Sequence, residues 1–471
     1  MQSLPALAAV FTLLLQLCAA SATIDNVAVQ WNSYLTDIMC RNSIPFLHAN
    51  TYYSQLHLAQ WHALIALKHI PSEVSSNSTE EAAVAYASRA VLTYYLPYIR
   101  DGGFDRILES QLKTLNLTPS QTKFAKQVAE AVALRLVQNR LIGDPGEDYL
   151  LGAATDALDA DRHPAPGIYR YDSAPDGLPS RFFASLGKTK PYILPNPIAF
   201  RKTFLRKFKP PAVPSPEWDR EWNDLKDIGR QGFAGRTLEN DRTASYWNAG
   251  PYPGSLCTQT MFWPLAAIEL LPPSTSLAAT VELFAKLHVA IHDATVLGSS
   301  MQWAYWFWRP MTAFRTGDRD HEPIPDWTSF VPYNAHPEYP SLTTSIAGAG
   351  SRVLERWLES HGVKDGPFTV ATSGTPAPAC DYSGPVVGPR QYASLDAAVK
   401  DAQLGRMYAG AHFNGSTRAG AAIGAIVADY VEMNWLQPAG PSGVLPDVGY
   451  LRVVAQTPKK AGKASDIEYE V

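Results

Sequence analysis

Beyond its first two dozen residues, the chain has no uninterrupted apolar run long enough to cross a bilayer, which takes about 20 residues. It also has no block of lysine and arginine. Its 40 basic residues stand against 44 acidic ones, a formal net charge of −4, so no basic face is offered to a polyanion. Alternation of apolar and polar residues at period two is scarce, which argues against a β-rich fold. Cysteine is rare, four in 471 residues, and no spacing among the four is that of a zinc site. These absences exclude a nucleic-acid binder, a multispanning membrane protein and a small metal-stapled domain. No internal repeat is found.

The first feature present is N-terminal. "LPALAAVFTLLLQLCAASA" is an apolar run ending in Ala20-Ser21-Ala22, an A-x-A cleavage pattern. Residues 1–22 therefore read as a secretory signal peptide, although no Lys or Arg precedes the run. A soluble, extracellular mature protein is expected. Cys18 leaves with the signal, and Cys40, Cys257 and Cys380 remain. One disulfide and one free thiol can form among them, and the sequence does not choose the pair. Asn77 and Asn116 lie in polar sequons suited to glycosylation, and Asn414-Gly415-Ser416 is a third sequon.

Helical periodicity dominates the rest. Thr118-Pro119 supplies a cap and a first-turn proline, and Phe124, Val128, Val132 and Leu136 follow at four-residue spacing, with Gly143 beyond. Further helices are predicted over Ala82 to Leu96, Leu277 to Val296, Ser345 to Leu358 and Ala419 to Trp435. The fold class expected is all-α. Residues 23–240 form an N-terminal helical part interrupted by a Pro-rich excursion at 164–216, read as an ordered surface crossing. Residues 241–440 form a second helical part, and 441–471 a polar tail that is expected to be mobile from Lys459 onward.

Three clusters in the second part carry chemistry. In "WFWRPMTAFR", Pro310 ends a helix at or before Arg309, which leaves that arginine among aromatics. Alone it reads as a buried structural arginine. In "HPEYPSLTTS", Ser341 stands at a helix start, where its hydroxyl caps the helix or its amides bind an anion. In "GRMYAGAHFNGST", Arg406 and His412 flank Gly410 ahead of a helix that Ser416 or Thr417 can cap. Alone, His412 is an ordinary core or surface histidine. Together, two forked guanidinium groups, a serine, helix amides and an imidazole make a pocket for a tetrahedral oxyanion.

These motifs, in this order and near this spacing, resemble the vanadium-dependent haloperoxidase and type 2 phosphatidic acid phosphatase superfamily. "NVAVQWNSYL", "GRTLENDRTASYWNAG" and "ELFAKLHVAIHDA" extend the resemblance over most of residues 24–440. It implies a pair of four-helix bundles and, without membrane spans, the secreted haloperoxidase-like branch. It implies vanadate, or alternatively phosphate, as the bound anion, with peroxide and halide or a phosphate ester as small partners. Arg309 and Arg406 match the family's oxyanion-binding arginines, Ser341 its hydrogen-bonding serine, and His412 the histidine that binds vanadium or becomes phosphorylated.

Three positions depart from the pattern. Gln302 stands where the family has lysine, Leu342-Thr343 where it has Gly-His, and Ser416 where an aspartate supports the metal-binding histidine. Leu342 keeps its backbone N–H, and Gln302 keeps a donor without the charge. Thr343 cannot move protons near neutral pH, a function typically worth ~10²–10⁴-fold in rate. His336 in the same turn, and Asp318, Asp320 and His321 in the loop after the first motif, are conceivable substitute bases, but no spacing aims them at the site. Ser416 is expected to leave His412 poorly oriented. The resemblance thus implies a haloperoxidase-like oxidoreductase of weak or absent activity. The alternatives are an inactive homologue with a binding or structural role, and a phosphatase acting through phosphorylated His412.

Overall fold

The computed structural model describes residues 24–42, 44, 46–68, 74–99, 103–141, 165–170, 185–204, 206–248, 256–331, 336–370 and 388–435. The signal segment, Gly143, Cys380 and the tail lie outside these. Among the described residues the chain is 66% helical, with 14 helices and two short strands, as the all-α reading expected. No helix among them is long and apolar enough to cross a membrane.

Local chemistry sets the first helices. Helix α1 (Val27–Arg41) starts at Asn26, whose Oδ1 accepts from the N–H groups of Ala28 and Val29 at 3.1 and 3.2 Å. Helix α2 (Phe46–Leu67) leads to α3 (Asn77–Tyr95), capped by Ser76, and α4 (Gly103–Thr114). Helix α5 (Pro119–Leu141) begins with the expected proline. The Thr118 hydroxyl accepts from Gln121 N–H at 3.2 Å, and Gln121 Oε1 accepts from Thr118 N–H at 2.9 Å. Val128, Val132 and Leu136 are buried and Phe124 half-buried, so the four-residue spacing marks the core face. Helices α2, α3 and α5 pack against one another.

The Pro-rich excursion contains α6 (Pro197–Phe204) and leads into α7 (Pro216–Leu225). It is anchored by Asp293, a fully buried carboxylate that accepts from the N–H groups of Tyr192, Ile193 and Leu194 at 2.7, 2.8 and 2.9 Å. Helices α8 (Leu238–Tyr246) and α9 (Phe262–Leu270) follow. A disulfide joins Cys40 at the end of α1 to Cys257 before α9, closing a separation of 217 residues.

The second bundle is built on α10 (Leu277–Tyr305), α12 (Leu342–Ser360) and α14 (Asn414–Asn434), with α11 (Pro310–Thr316) and α13 (Leu395–Tyr408) beside them. Strands β1 (Phe368–Val370) and β2 (Arg390–Tyr392) pair antiparallel, Phe368 opposite Tyr392. Helices α12 and α14 form the most extensive pair, and α10 also packs on α2, which joins the two groups. Gly348 allows the close approach, because a Cβ there would run into the Ala421 backbone.

Helix boundaries differ from those predicted. Helix α10 runs nine residues past Val296, through Gly298 and the small serines, and ends at Trp306 in the left-handed region (φ 55°). That helix ends before Arg309, as Pro310 implied, and Arg309 is the residue that opens α11. Helix α12 starts at Leu342 rather than Ser345, and α14 at Asn414 rather than Ala419. At the starts of α12 and α14 the polar residues Thr343, Thr344, Ser416 and Thr417 fall outside the apolar period, yet they are buried.

Where α2 meets α10, Tyr53, His57 and His288 stack, with ring centroids 4.6 Å apart for Tyr53–His288 and 4.9 Å for His57–His288. Burial pushes His57 down to about 3 and His48 to about 4, and holds His288 well below the usual histidine value. These groups are neutral in the folded chain and take protons in the unfolded chain below about 6.5. Their contribution to stability is present above that pH and is lost as pH falls toward the folded values. Thermal unfolding from pH 7 to pH 4 is expected to show a falling Tm. His288→Phe, which removes two buried ring nitrogens without hydrogen-bond partners among the described residues, should flatten the fall. A Tm independent of pH over that range would contradict this.

Candidate active site

The site forms where α10 ends and where α11, α12 and α14 begin. Arg309, with extended backbone (φ −80°, ψ 153°), precedes Pro310 and is buried. Its Nε donates to the His336 carbonyl at 2.8 Å and its Nη1 to the Ala411 carbonyl at 2.9 Å. The guanidinium is thus fixed by the segments that lead into α12 and α14. Nη1 also lies 3.3 Å from His412 Nε2, and Nη2 lies 3.0 and 3.1 Å from the two ring nitrogens of His336.

His412 is aimed inward by Gly410, whose φ of 70° favours glycine. A Cβ at Gly410 would meet the Gly229 carbonyl and lie 3.0 Å from Ser329. His412 Nδ1 donates to Glu338 Oε1 at 2.9 Å, and the same oxygen accepts from Phe413 N–H at 3.1 Å. This network assigns the proton to Nδ1 and leaves the Nε2 lone pair facing Arg309. Burial, then the charges of Arg309 and Arg406, holds His412 well below the usual histidine value. Burial pushes the Glu338 carboxyl up to about 8.

Glu338 corrects the sequence reading. Ser416 was expected to leave His412 without support, and its hydroxyl does lie 3.5 Å from Nδ1, too far for a strong bond. The carboxyl group of Glu338, from the segment before α12, supports the ring instead through its accepting Oε1. Sequence reasoning missed Glu338 although it lies inside the quoted "HPEYPS". The available signal was an acidic residue in a turn whose neighbours are all buried.

The remaining residues surround this group. Ser341 directly precedes α12, but its hydroxyl makes no capping bond. The residue is fully buried and its Oγ has no partner among the described residues. The hydroxyls of Thr344 and Ser345 instead donate to the Ser341 carbonyl at 3.1 and 3.0 Å. Leu342 and Thr343 are the first two helical residues and are buried, where helix geometry leaves N–H groups without intrahelical partners. Gln302 donates through Nε2 to the Pro340 carbonyl at 2.7 Å, bracing the turn. Arg406, in the last turn of α13, donates to the Trp247 carbonyl at 3.2 Å and to Asn248 Oδ1 at 3.0 Å. Its charge acts on both His336 and His412.

His336 belongs to this group, which no sequence spacing indicated. Asp318 and His321 do not contribute to it: Asp318 accepts from Trp218 Nε1 and pairs with His321, which stacks on Trp222 at 4.4 Å. Asp320 pairs with Arg319 at the surface. The start of α14 is capped by the Glu221 carboxylate, which accepts from Gly415 N–H at 2.9 Å, and not by Ser416 or Thr417. Asn414 is half-buried and donates to Asp224 at 3.2 Å, whereas Asn77 and Asn116 are exposed.

Two buried guanidinium groups, a buried hydroxyl without a partner, a helix start and an imidazole lone pair fit a tetrahedral oxyanion. In such a set Arg309, Arg406, Ser341 and the Leu342 amide can hold oxygens, and His412 Nε2 can bond the central atom.

The Glu338–His412 bond has a measurable weight. Glu338→Leu leaves the buried Nδ1–H and the Phe413 N–H without their acceptor, a loss of about 1–3 kcal/mol in urea unfolding at neutral pH. Glu338→Gln retains a carbonyl acceptor and should cost clearly less. Equal costs for the two variants would contradict the assigned bond.

A family model described as the VCPO second helical-bundle domain matches residues 282–437, a stretch that contains the whole site. The fold is similar to that of the first bacterial vanadium-dependent iodoperoxidase. That match has 18% identity and a TM-score of 0.61 and covers 86% of this chain and 95% of that one. Apo and holo structures of a bacterial vanadium-dependent chloroperoxidase match at 16% identity, with TM-scores of 0.60 and 0.59, covering 88% of this chain and 98% of theirs. No curated protein matches in sequence. At these identities the structural likeness is one of fold, and the family match is carried by the second bundle. The second bundle is thus similar in sequence to the VCPO second helical-bundle domain, and most of the chain is similar in fold to these bacterial vanadium-dependent haloperoxidases.

Proposed function

We propose that this protein is a secreted haloperoxidase-type oxidoreductase that binds vanadate and uses hydrogen peroxide to oxidise a halide. The net reaction joins peroxide, halide and a proton to give a hypohalous acid and water. One observation carries the reading: the Nε2 lone pair of His412 faces the Arg309 guanidinium at 3.3 Å, with its Nδ1 proton held by Glu338. That is the protonation state a ligand to the central atom of an oxyanion needs. The Cys40–Cys257 disulfide supports an oxidising compartment. The shared fold with proteins described as an iodoperoxidase and a chloroperoxidase supports peroxide and halide as the partners.

Vanadate, when bound, supplies Lewis-acid activation of peroxide. The chain's own residues do the rest. Arg309 and Arg406 neutralise the anion's charge through forked donors, the Ser341 hydroxyl and the Leu342 amide bond its oxygens, and His412 Nε2 contributes its lone pair. Glu338 keeps that lone pair in place by holding Nδ1. Gln302 contributes no charge, and its amide is committed to Pro340. Anion affinity is therefore weaker than in a site with lysine there. Thr343 occupies the acid/base position without a titratable group.

Titration with orthovanadate is expected to give saturable binding competed by inorganic phosphate, together with vanadate-dependent oxidation of iodide by peroxide. Arg406→Ala removes charge-assisted hydrogen bonds worth about 1.5–3 kcal/mol, roughly 10–100-fold in affinity. No vanadate binding by the wild-type protein, or binding untouched by Arg406→Ala, would contradict the reading.

A further inference from the structure

We propose that His336 is the proton-transfer group of this site, acting in place of the histidine that Thr343 replaces; this rests on the oxyanion reading above. The geometry is two imidazoles on one guanidinium. Nη1 of Arg309 reaches His412 Nε2 at 3.3 Å, and Nη2 reaches the ring edge of His336 at 3.0 and 3.1 Å. His336 Nδ1 lies 3.0 Å from the Pro337 carbonyl, an acceptor only, so Nδ1 carries the proton and Nε2 the lone pair.

An anion that takes the Nη1–Nη2 edge of Arg309 displaces both nitrogens as acceptors. An anion there would meet both His412 Nε2 and His336 Nε2, which face this one guanidinium. His412 serves as ligand, which leaves His336 as the imidazole that can move a proton. Thr343 cannot do this, and Asp318 and His321 are engaged elsewhere.

The backbone carbonyl of His336 fixes Arg309 Nε at 2.8 Å, and the ring is buried with its nitrogens turned to the same guanidinium. In the step assigned to it, His336 Nε2 accepts a proton from one O–H of hydrogen peroxide and becomes imidazolium. It returns that proton to the oxygen that departs as water. The halide's electron pair forms the new halogen–oxygen bond as the peroxide O–O bond breaks, which reduces peroxide and oxidises the halide, and the further proton of the net reaction comes from solvent.

Two readouts test this. In the full-length protein carrying ¹⁵N-labelled histidine, the His336 ring should show a protonated Nδ1 and an unprotonated Nε2. Saturation with orthovanadate or inorganic phosphate should shift the Nε2 resonance toward a hydrogen-bonded, proton-bearing state. His336→Gln should keep vanadate affinity while turnover falls by ~10²–10⁴-fold, and Thr343→His in that background should recover turnover. A structural role for His336 would instead lose affinity and turnover together, with no recovery. An Nε2 resonance unmoved by a saturating anion, or His336→Gln turning over like wild type, overturns the proposal even if His336→Gln proves unstable, since the first readout uses the wild-type chain. If neither vanadate nor phosphate binds the wild-type protein, the oxyanion reading itself has failed, and the proposal fails with it.

Discussion

The buried guanidinium of Arg309 ties together three segments that lie far apart in sequence. Moving such a charge out of water is costly unless its donors are satisfied. Here Nε and Nη1 are satisfied by the backbone carbonyls of His336 and Ala411. Those two bonds fix where the chain enters α12 and α14, and therefore where Ser341 and His412 stand. The remaining donors face two imidazoles. The same contact that holds the fold together at this point also sets the chemistry available there.

The rest of the architecture serves that junction. The long α10 delivers Gln302 and then Arg309 after the left-handed turn at Trp306. The tight packing of α12 on α14, which Gly348 permits, brings the two helix starts to one place. Gly410 turns the chain so that His412 points inward, and Glu338 locks its tautomer. Away from the site, the disulfide and the Asp293 carboxylate pin the N-terminal group of helices and the Pro-rich excursion against the second bundle.

Much of this was legible in the sequence, for identifiable reasons. Four-residue apolar spacing and the Thr118-Pro119 start fix α5, and the same period reveals the cores of α10, α12 and α14. Their first or last turns were missed because Ser, Thr, Asn and Gly there are outside the apolar period yet packed. Arg309, Ser341, Arg406 and His412 stand out in the sequence because motif order marks them. Glu338 and His336 were not assigned, because their roles depend on which backbone carbonyls and ring nitrogens converge in space. The capping role offered to Ser341 gave way because its hydroxyl makes no capping bond, while Thr344 and Ser345 bond its carbonyl instead.

The central claim is that Arg309, Ser341 and His412 together hold an oxyanion. A crystal structure of the protein soaked in orthovanadate tests it most directly. The account predicts anion density against the Arg309 guanidinium and the Ser341 hydroxyl, bonded at its central atom to His412 Nε2, with Glu338 still holding Nδ1. A structure with no density there, in which His412 Nε2 still faces Arg309 and the Ser341 hydroxyl stays without a partner, would contradict it.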